Sequence, residues 1–295
     1  MARISTRVTP LRLGAVLLWL IVAVTAISLN HASPISLFLV LVGFTAAFLS
    51  GLVGVGGAII LIPILLYVPP LLGLAALDIK TITGITIVQV TAGALSAASG
   101  HRGAGHVDPR LLLFLGPSMI AASFIGALAS AYADPILLEI VFAGMAAVAA
   151  GLMLGLRNRT PPHVDGPPAF HRRLAVAVGS VVGLLAGFIG AGGAFFLGPI
   201  LLFVLRIPMR YVVGSTVGIV ALSSGAGLLG KGLTGQIDWL LAAALVVGAL
   251  PGGRVGAMAS HRVSPYRLGL VLGLVILVVA IRMWLDIAGR LGLFG

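Results

Sequence analysis

Two segments of this sequence place glycine clusters inside long apolar runs. Residues 51–66 read GLVGVGGAIILIPILL, residues 187–202 read GFIGAGGAFFLGPILL, and ten of the sixteen positions are identical. Glycine weakens a helix and proline removes a backbone donor, so neither is typical of the middle of a hydrophobic helix. The pattern indicates a break in the chain, followed by a short helix, that occurs twice.

A helix that begins directly after such a cluster can bind an anion at its first turn. Its first N–H groups lack intrahelical partners, and the peptide dipoles add roughly half a positive charge at that end. Inside a membrane these donors need an acceptor, and an anion is a suitable one. We predict one anion site shared by the two clusters, where glycine permits positive φ and close approach. The framing glycines are Gly54, Gly56, Gly57, Gly190, Gly192 and Gly193.

Close packing of helices is the alternative explanation for glycine in a membrane protein. We prefer it for isolated glycines such as Gly126, Gly144 and Gly256. For the paired clusters, each followed by a proline and a short apolar run, we prefer the ligand site.

Hydroxyl and amide side chains inside the apolar runs are further candidates, because polar groups at this depth are costly and often functional. Thr86, Gln89, Ser215 and Thr216 are predicted to complete the anion site as donors that carry no full charge. The hydroxyls could instead bond to carbonyls of their own helix. Arg254 follows a PGG break, where it could pair with the anion or extend to the cytoplasmic interface.

Charged residues near the ends of the runs have simpler explanations. Lys231 and His101 occupy matching positions and could attract anions at the two mouths, but anchoring at the membrane interface is the prediction that we prefer. Asp108 and Asp238 stand where helices begin and are predicted to be N-caps.

No group of residues resembles a catalytic or metal centre. The six histidines lie in loops or at segment ends, the acidic residues are few and scattered, and the chain has no cysteine. We therefore predict no enzyme activity and no cofactor. The sequence also lacks a nucleotide-binding motif, which argues against primary active transport by this chain alone.

Composition indicates a polytopic helical membrane protein. Hydrophobic residues make up 60% of the 295 positions and charged residues only 8%, which is too few for a soluble domain. The net charge of +11 comes from basic residues between the apolar runs, so it reports membrane topology rather than nucleic-acid binding. The expected partners are membrane lipid and a small anion, and the oligomeric state is left open.

Apolar runs long enough to cross a bilayer divide the chain into four parts. They lie at 13–29, 35–53, 81–99, 110–131, 136–156, 174–190, 211–229, 239–258 and 266–285, while the runs 58–68 and 194–205 are shorter. We predict an N-terminal segment with an extra transmembrane helix (1–34), a first membrane repeat (35–156), a polar cytoplasmic linker (157–173) and a second repeat (174–295). The short runs could span or re-enter.

The two halves match in order over more than a hundred residues. Besides the clusters, GHRGAGHVD (100–108) aligns with GKGLTGQID (230–238), and IGALAS (125–130) aligns with VGAMAS (255–260). Basic loops place the N-terminus and the linker in the cytoplasm. Each half then holds five membrane segments, so the copies face opposite ways. The predicted fold is all-α with two inverted repeats, a common plan of secondary transporters.

The ordered motifs resemble the sulfite exporter TauE/SafE family. The resemblance rests on the duplicated GxxGxGGaxxlxPxLL, on Gly84-Ile85-Thr86 with its counterpart Gly214-Ser215-Thr216, and on the glycine–aspartate hairpins, over roughly residues 35–285. It implies export or exchange of small sulfur-containing anions such as sulfite or sulfonates.

We therefore predict a secondary transporter of the bacterial cytoplasmic membrane that exports such an anion, with a proton or anion gradient as the driving force. Uptake of a sulfur anion such as thiosulfate by the same fold is one alternative. A membrane scaffold or accessory subunit that does not transport is another. No buried carboxylate can be identified from the sequence as a proton relay.

Overall fold

The computed structural model describes residues 34–53, 57–100, 109–155, 170–205, 207, 209–259 and 265–292. Within these ranges the fold is all-α, as predicted. The ten helices are α1 (Pro34–Val53), α2 (Ala58–Leu71), α3 (Ile79–Gly100), α4 (Pro109–Ser130), α5 (Pro135–Gly155), α6 (Arg172–Ile189), α7 (Ala194–Phe203), α8 (Met209–Leu233), α9 (Trp239–Ala259) and α10 (Pro265–Arg290).

Seven of these helices are long and apolar enough to cross a membrane, namely α1, α3, α4, α5, α6, α8 and α9. Many large apolar side chains on them are exposed, such as Leu113 and Leu240, as expected of surfaces that face lipid. The protein is therefore a polytopic membrane protein. The predicted extra helix at 13–29 and most of the linker lie outside the described residues, and a span within α10 stays a prediction.

The helices after the glycine clusters are short, as predicted. Helix α2 has 14 residues and α7 has 10, which correspond to about 21 Å and 15 Å at 1.5 Å per residue. Both are shorter than the roughly 30 Å hydrocarbon core. Their prolines, Pro63 and Pro199, lie inside the helices.

Aspartates fix the starts of two long helices. Asp238 Oδ1 accepts hydrogen bonds from the backbone N–H groups of Leu240 and Leu241, at 3.0 and 3.1 Å. Asp78 Oδ2 accepts from Lys80 and Thr81 at the start of α3. The predicted N-cap at Asp238 is confirmed, whereas Asp108 lies outside the described residues.

Helices of each half pack against helices of the other half. Helix α1 packs most extensively on α9, and α4 packs most extensively on α6, so the first helix of each half contacts the fourth helix of the other. Glycine allows both contacts: a methyl group at Gly256 would lie 2.0 Å from the carbonyl oxygen of Phe48, and one at Gly126 would lie 2.0 Å from that of Leu184. Packing of this kind is the role we expected for Gly126 and Gly256. Gly144 is different, because a methyl group there would meet nothing within 4 Å.

The ends of α4 supply information on orientation. Ser130, its last residue, bonds to Gln236 in the loop before α9. Arg110, at the start of α4, is about 30 Å away along a helix of 22 residues. The start of α4 and the start of α9, which correspond in the two halves, are therefore at opposite ends of α4. This placement supports the inverted repeat, which we treat as a prediction to be tested.

Candidate functional site

The second glycine cluster forms a buried turn between α6 and α7. Gly190 ends α6 in the left-handed region with φ of 71°, and Gly192 and Gly193 follow with φ of 64° and 74°. Side chains with a Cβ rarely adopt these angles, so this cluster adopts the positive φ that glycine permits. All residues from 189 to 201 are buried.

The start of α7 has backbone donors without backbone acceptors. The carbonyl of Gly193 accepts from the N–H groups of Phe196 and Leu197 at 3.1 and 2.8 Å. The N–H groups from Gly192 to Phe195 make no backbone hydrogen bond to any residue in the described ranges. The dipole of α7 adds partial positive charge at the same place. A buried helix end of this kind can accommodate an anion.

This helix end lies near the middle of the surrounding long helices. A methyl group at Gly192 would lie 2.4 Å from Val90 Cγ1, and one at Gly193 would lie 2.8 Å from Met119 Cε. Val90 and Met119 are close to the midpoints of α3 and α4. The start of α7 is therefore at middle depth within the helix bundle.

The first cluster differs in its backbone. Gly57 caps α2 with φ of −74° and ψ of −14°, a right-handed conformation. The positive φ that glycine permits is therefore not adopted at Gly57. Glycine is needed there for close approach, since a methyl group would lie 2.2 Å from the carbonyl oxygen of Ala46 in α1. Gly54 and Gly56 lie outside the described residues.

Helix α3 connects the surroundings of the two clusters. Its Val90 contacts Gly192, while a methyl group at Gly93 would lie 3.5 Å from the side chain of Ala47 and 3.8 Å from Gln89 Nε2. Ala47 follows Ala46, against which Gly57 packs. The middle of α3 therefore has both clusters nearby.

Three buried polar side chains in α3 and α4 have atoms without hydrogen-bond partners. They are Thr86 Oγ1, Gln89 Oε1 and Ser123 Oγ, on residues that are 0%, 1% and 1% exposed. Unpartnered buried polar atoms are uncommon in folded proteins and call for an explanation. Ser123 was not among the predicted residues, because a serine between alanine and phenylalanine in an apolar run carries no motif.

The remaining predicted site residues are Ser215 and Thr216 in α8 and Arg254 in α9, and they are not among the side chains with unpartnered polar atoms. Ser215 and Thr216 are buried, and Thr216 Oγ1 donates to the carbonyl of Val212 in its own helix, the alternative that we considered. Arg254 is on an exposed face of α9. The structure therefore does not place Arg254 with the buried polar atoms.

Lys231 is completely buried, contrary to our expectation of an interface anchor. Its ammonium donates to Ser130 Oγ at 2.9 Å, to Gln236 Oε1 at 3.0 Å and to Thr83 Oγ1 at 3.2 Å. The side chain also borders the glycine turn, since a methyl group at Gly190 would lie 3.2 Å from Lys231 Cε. Its position near the end of an apolar run gave no sign of this burial.

A buried carboxylate is also present. Glu139 in α5 is 5% exposed and pairs with Arg290 of α10 at 3.0 Å. The sequence had not identified it. Among the described residues no group of three or more histidine or acidic side chains could hold a metal ion.

A cavity of about 460 Å³ lies between α5 and α10, away from these polar atoms. Its lining includes Ala150, Leu154, Leu277 and Trp284 and is almost entirely apolar. This lining suits lipid chains and not an anion.

Comparisons with known proteins agree with the fold. Residues 39–283 match the family model described as Sulfite exporter TauE/SafE. A probable membrane transporter protein of Xylella fastidiosa (strain 9a5c) is 28% identical over 253 residues, which cover 83% of this chain and 95% of that protein. The probable membrane transporter protein YdhB of Bacillus subtilis is 28% identical over 265 residues, which cover 88% of this chain and all of YdhB. No solved structure matches. The family match extends over most of the chain and both halves, and the chain belongs to the sulfite exporter TauE/SafE family.

Proposed function

We propose that this protein is a secondary transporter that exports a small sulfur-containing anion across the cytoplasmic membrane. The observation that carries the proposal is the buried start of α7, whose N–H groups lack backbone acceptors within the described residues, in a helix bundle that also buries three unpartnered polar side chains. An oxyanion would supply acceptors to these N–H groups and to the hydroxyls of Thr86 and Ser123.

The donors suit a sulfite or sulfonate group. Such a group presents three oxygens, and these could accept from the N–H groups of Gly193 and Ala194 and from the hydroxyls of Thr86 and Ser123. Gln89 could contribute through its amide. A helix end supplies only about half a charge, so the anion would be held without a full counter-charge and could leave again. Release is as necessary to a transporter as binding.

The family and the relatives support transport. The family description names sulfite export, and the relatives from Xylella fastidiosa and Bacillus subtilis are named as probable membrane transporters. In this proposal Gly57 and Gly193 frame one site, and Ser215 and Thr216 lie around it. The N-terminus is cytoplasmic, and a proton or anion gradient drives export.

Uptake of the anion and a scaffold role without transport are the two alternatives to export. Uptake of a sulfur anion would use the same site, because gradients set the direction of a secondary transporter. A scaffold would have no use for unpartnered buried groups, each of which costs about 1–3 kcal/mol. Their presence favours a ligand over a purely structural role.

Anion-dependent stability of the purified protein tests the proposal. A ligand of the folded state raises the free energy of unfolding by about 2.7 kcal/mol at 100 times its Kd. We expect sulfite, methanesulfonate or thiosulfate to raise the Tm in detergent relative to equal concentrations of chloride. Flux into inverted and right-side-out vesicles then gives the direction. No shift in Tm with any of the three sulfur anions would contradict the proposal.

A further inference from the structure

Within the described residues, the Lys231 ammonium forms hydrogen bonds but no ion pair. All three hydrogen-bond acceptors are neutral, two hydroxyls and one amide oxygen. Among the described residues the acidic side chains that form ion pairs are Asp286 and Glu139, and their partners are arginines. A second cation, Lys80, lies at the same end of the bundle, where its Nζ donates to the carbonyl of Ala131 at 3.3 Å.

Burial of an ammonium without a counter-charge is expensive. Removal of an ion from water costs several kcal/mol even after the protein relaxes, and charged residues in membrane helices usually pair or line a pathway. A lysine close to a helix end can normally extend to the interface. Lys231 instead lies inside, although it is only two residues from the end of α8. Binding of an anion would remove this cost.

Lys231 lies close to the glycine turn that precedes α7. Its Cε is close to Gly190, two residues before Gly192, and its Nζ bonds to Thr83, one helical turn before Thr86. Its other hydroxyl partner is Ser130, the last residue of α4. Lys231 therefore lies between the buried start of α7 and the end of the bundle that carries Lys80.

We propose that Lys231, with the hydroxyls of Thr83 and Ser130, forms a second oxyanion site that the transported anion occupies between the start of α7 and this end of the bundle. The inference rests on the proposed function and names a second position on the path of the same substrate. When an anion binds, the ammonium donates to it in place of one neutral acceptor. Without an anion the hydroxyl protons also have acceptors, because Thr83 Oγ1 donates to the carbonyl of Lys80 and Ser130 Oγ to that of Ala127. In the occupied site they donate to the anion instead.

A structural role is the competing explanation. The ammonium connects α3, α4 and the loop before α9 through its three bonds, so its removal would loosen these elements even if no anion ever binds there. The two roles differ in what they predict for anion binding per folded molecule.

Isothermal titration of sulfite into the purified full-length protein in detergent distinguishes them. Lys231→Met removes the ammonium and keeps the length of the side chain. Lys80→Met is the matched control, because it removes one positive charge from the same end of the bundle, from a half-buried lysine whose ammonium donates to the backbone carbonyl of Ala131. We expect Lys231→Met to weaken sulfite binding at the second site about tenfold or more and to leave binding at the start of α7 in place. Lys80→Met should change binding at either site less than twofold.

The outcomes separate the two proposals. If the wild-type protein does not bind sulfite, methanesulfonate or thiosulfate, the proposed function fails and the second site fails with it. If the wild type binds and folded Lys231→Met binds equally well, with a lower Tm only, the lysine is structural and the second site alone is wrong. If Lys231→Met cannot be purified as a folded protein, Lys231→Gln, whose amide can still donate to Ser130, replaces it with the same expected loss.

Discussion

The carbonyl oxygen of Thr83 lies against Gly190 so closely that a methyl group on the glycine would be 2.1 Å from it. This contact joins α3 of the first half to the end of α6 in the second. It brings the turn that begins α7 up to the helix that carries Thr86 and Gln89. The candidate site is therefore built across the halves and depends on the absence of a side chain at Gly190.

Replacement of Gly190 tests this contact. Gly190→Ala introduces a methyl group against backbone and forces a left-handed conformation on alanine, so we expect the free energy of unfolding to fall by ~1–3 kcal/mol. Gly144→Ala is the control, because a methyl group there meets nothing within 4 Å and alanine favours a helix. Thermal unfolding in detergent measures both. Equal Tm values for the two variants would show that the close contact is not present.

Removal of the unpartnered polar atoms should have opposite effects on stability and binding. Thr86→Val and Gln89→Leu each replace a buried polar group with an apolar one of similar size, which should raise the free energy of unfolding by about 1 kcal/mol. Both should weaken anion binding. Thr91→Val is the control, since Thr91 Oγ1 already donates to the carbonyl of Ile87 at 2.7 Å.

The measurements for this prediction are Tm without ligand and titration with sulfite. Variants that are more stable and bind less identify groups retained for function. If Thr86→Val and Gln89→Leu lower the Tm and bind sulfite normally, these side chains serve the fold and not the ligand.

Replacing Arg290 should destabilise the protein more than replacing Glu139, the residue with which it forms an ion pair. Glu139 is 5% exposed, whereas the side chain of Arg290 is 53% exposed. Arg290→Met leaves a buried carboxylate without a partner and should cost ~3 kcal/mol. Glu139→Gln leaves an arginine that can reach water and should cost about 1 kcal/mol or less. The double variant should recover most of the loss seen in Arg290→Met, and additive effects in a double-mutant cycle would argue against the pair.

The inverted repeat predicts the sidedness of two exposed positions. Arg110, at the start of α4, should face the cytoplasm, and Trp239, at the start of α9, should face the opposite side. The natural chain has no cysteine, so Arg110→Cys and Trp239→Cys each carry a single thiol. An impermeant maleimide added to intact cells should label Trp239→Cys and not Arg110→Cys. Labelling of both, or of neither unless the cells are opened, would contradict the inversion.

Local signals in the sequence were sufficient for part of this structure. The glycine clusters predicted the two short helices that follow them. At Gly192 and Gly193 the chain adopts the positive φ that glycine permits and few other residues adopt. Asp238 predicted an N-cap, because an aspartate at the start of a helix can accept hydrogen bonds from the first backbone N–H groups. Gly57 shows the limit of this reasoning, since its role depends on the approach of Ala46, which no local pattern encodes.

The remaining features depend on tertiary contacts. Lys231 is a charged residue near the end of an apolar run, as is typical of an interface anchor. Its burial becomes apparent only from the packing of Thr83, Ser130 and Gln236 around it. Ser123 and Glu139 are single polar residues in apolar runs. The hydrophobicity of such a run does not show which face of its helix packs in the protein interior. These three residues could be assigned only after the helices were placed together.

The most direct test of the central claim is the position of a bound anion. Selenite, the selenium analogue of sulfite, scatters X-rays anomalously, and the protein has no cysteine that could reduce it. In crystals grown with selenite, we predict an anomalous selenium peak about 4 Å from the backbone nitrogens of Gly193 and Ala194, the distance set by an N–H···O bond and one selenium–oxygen bond. Selenium bound only elsewhere, for example at Arg254, with no peak at the start of α7, would contradict it.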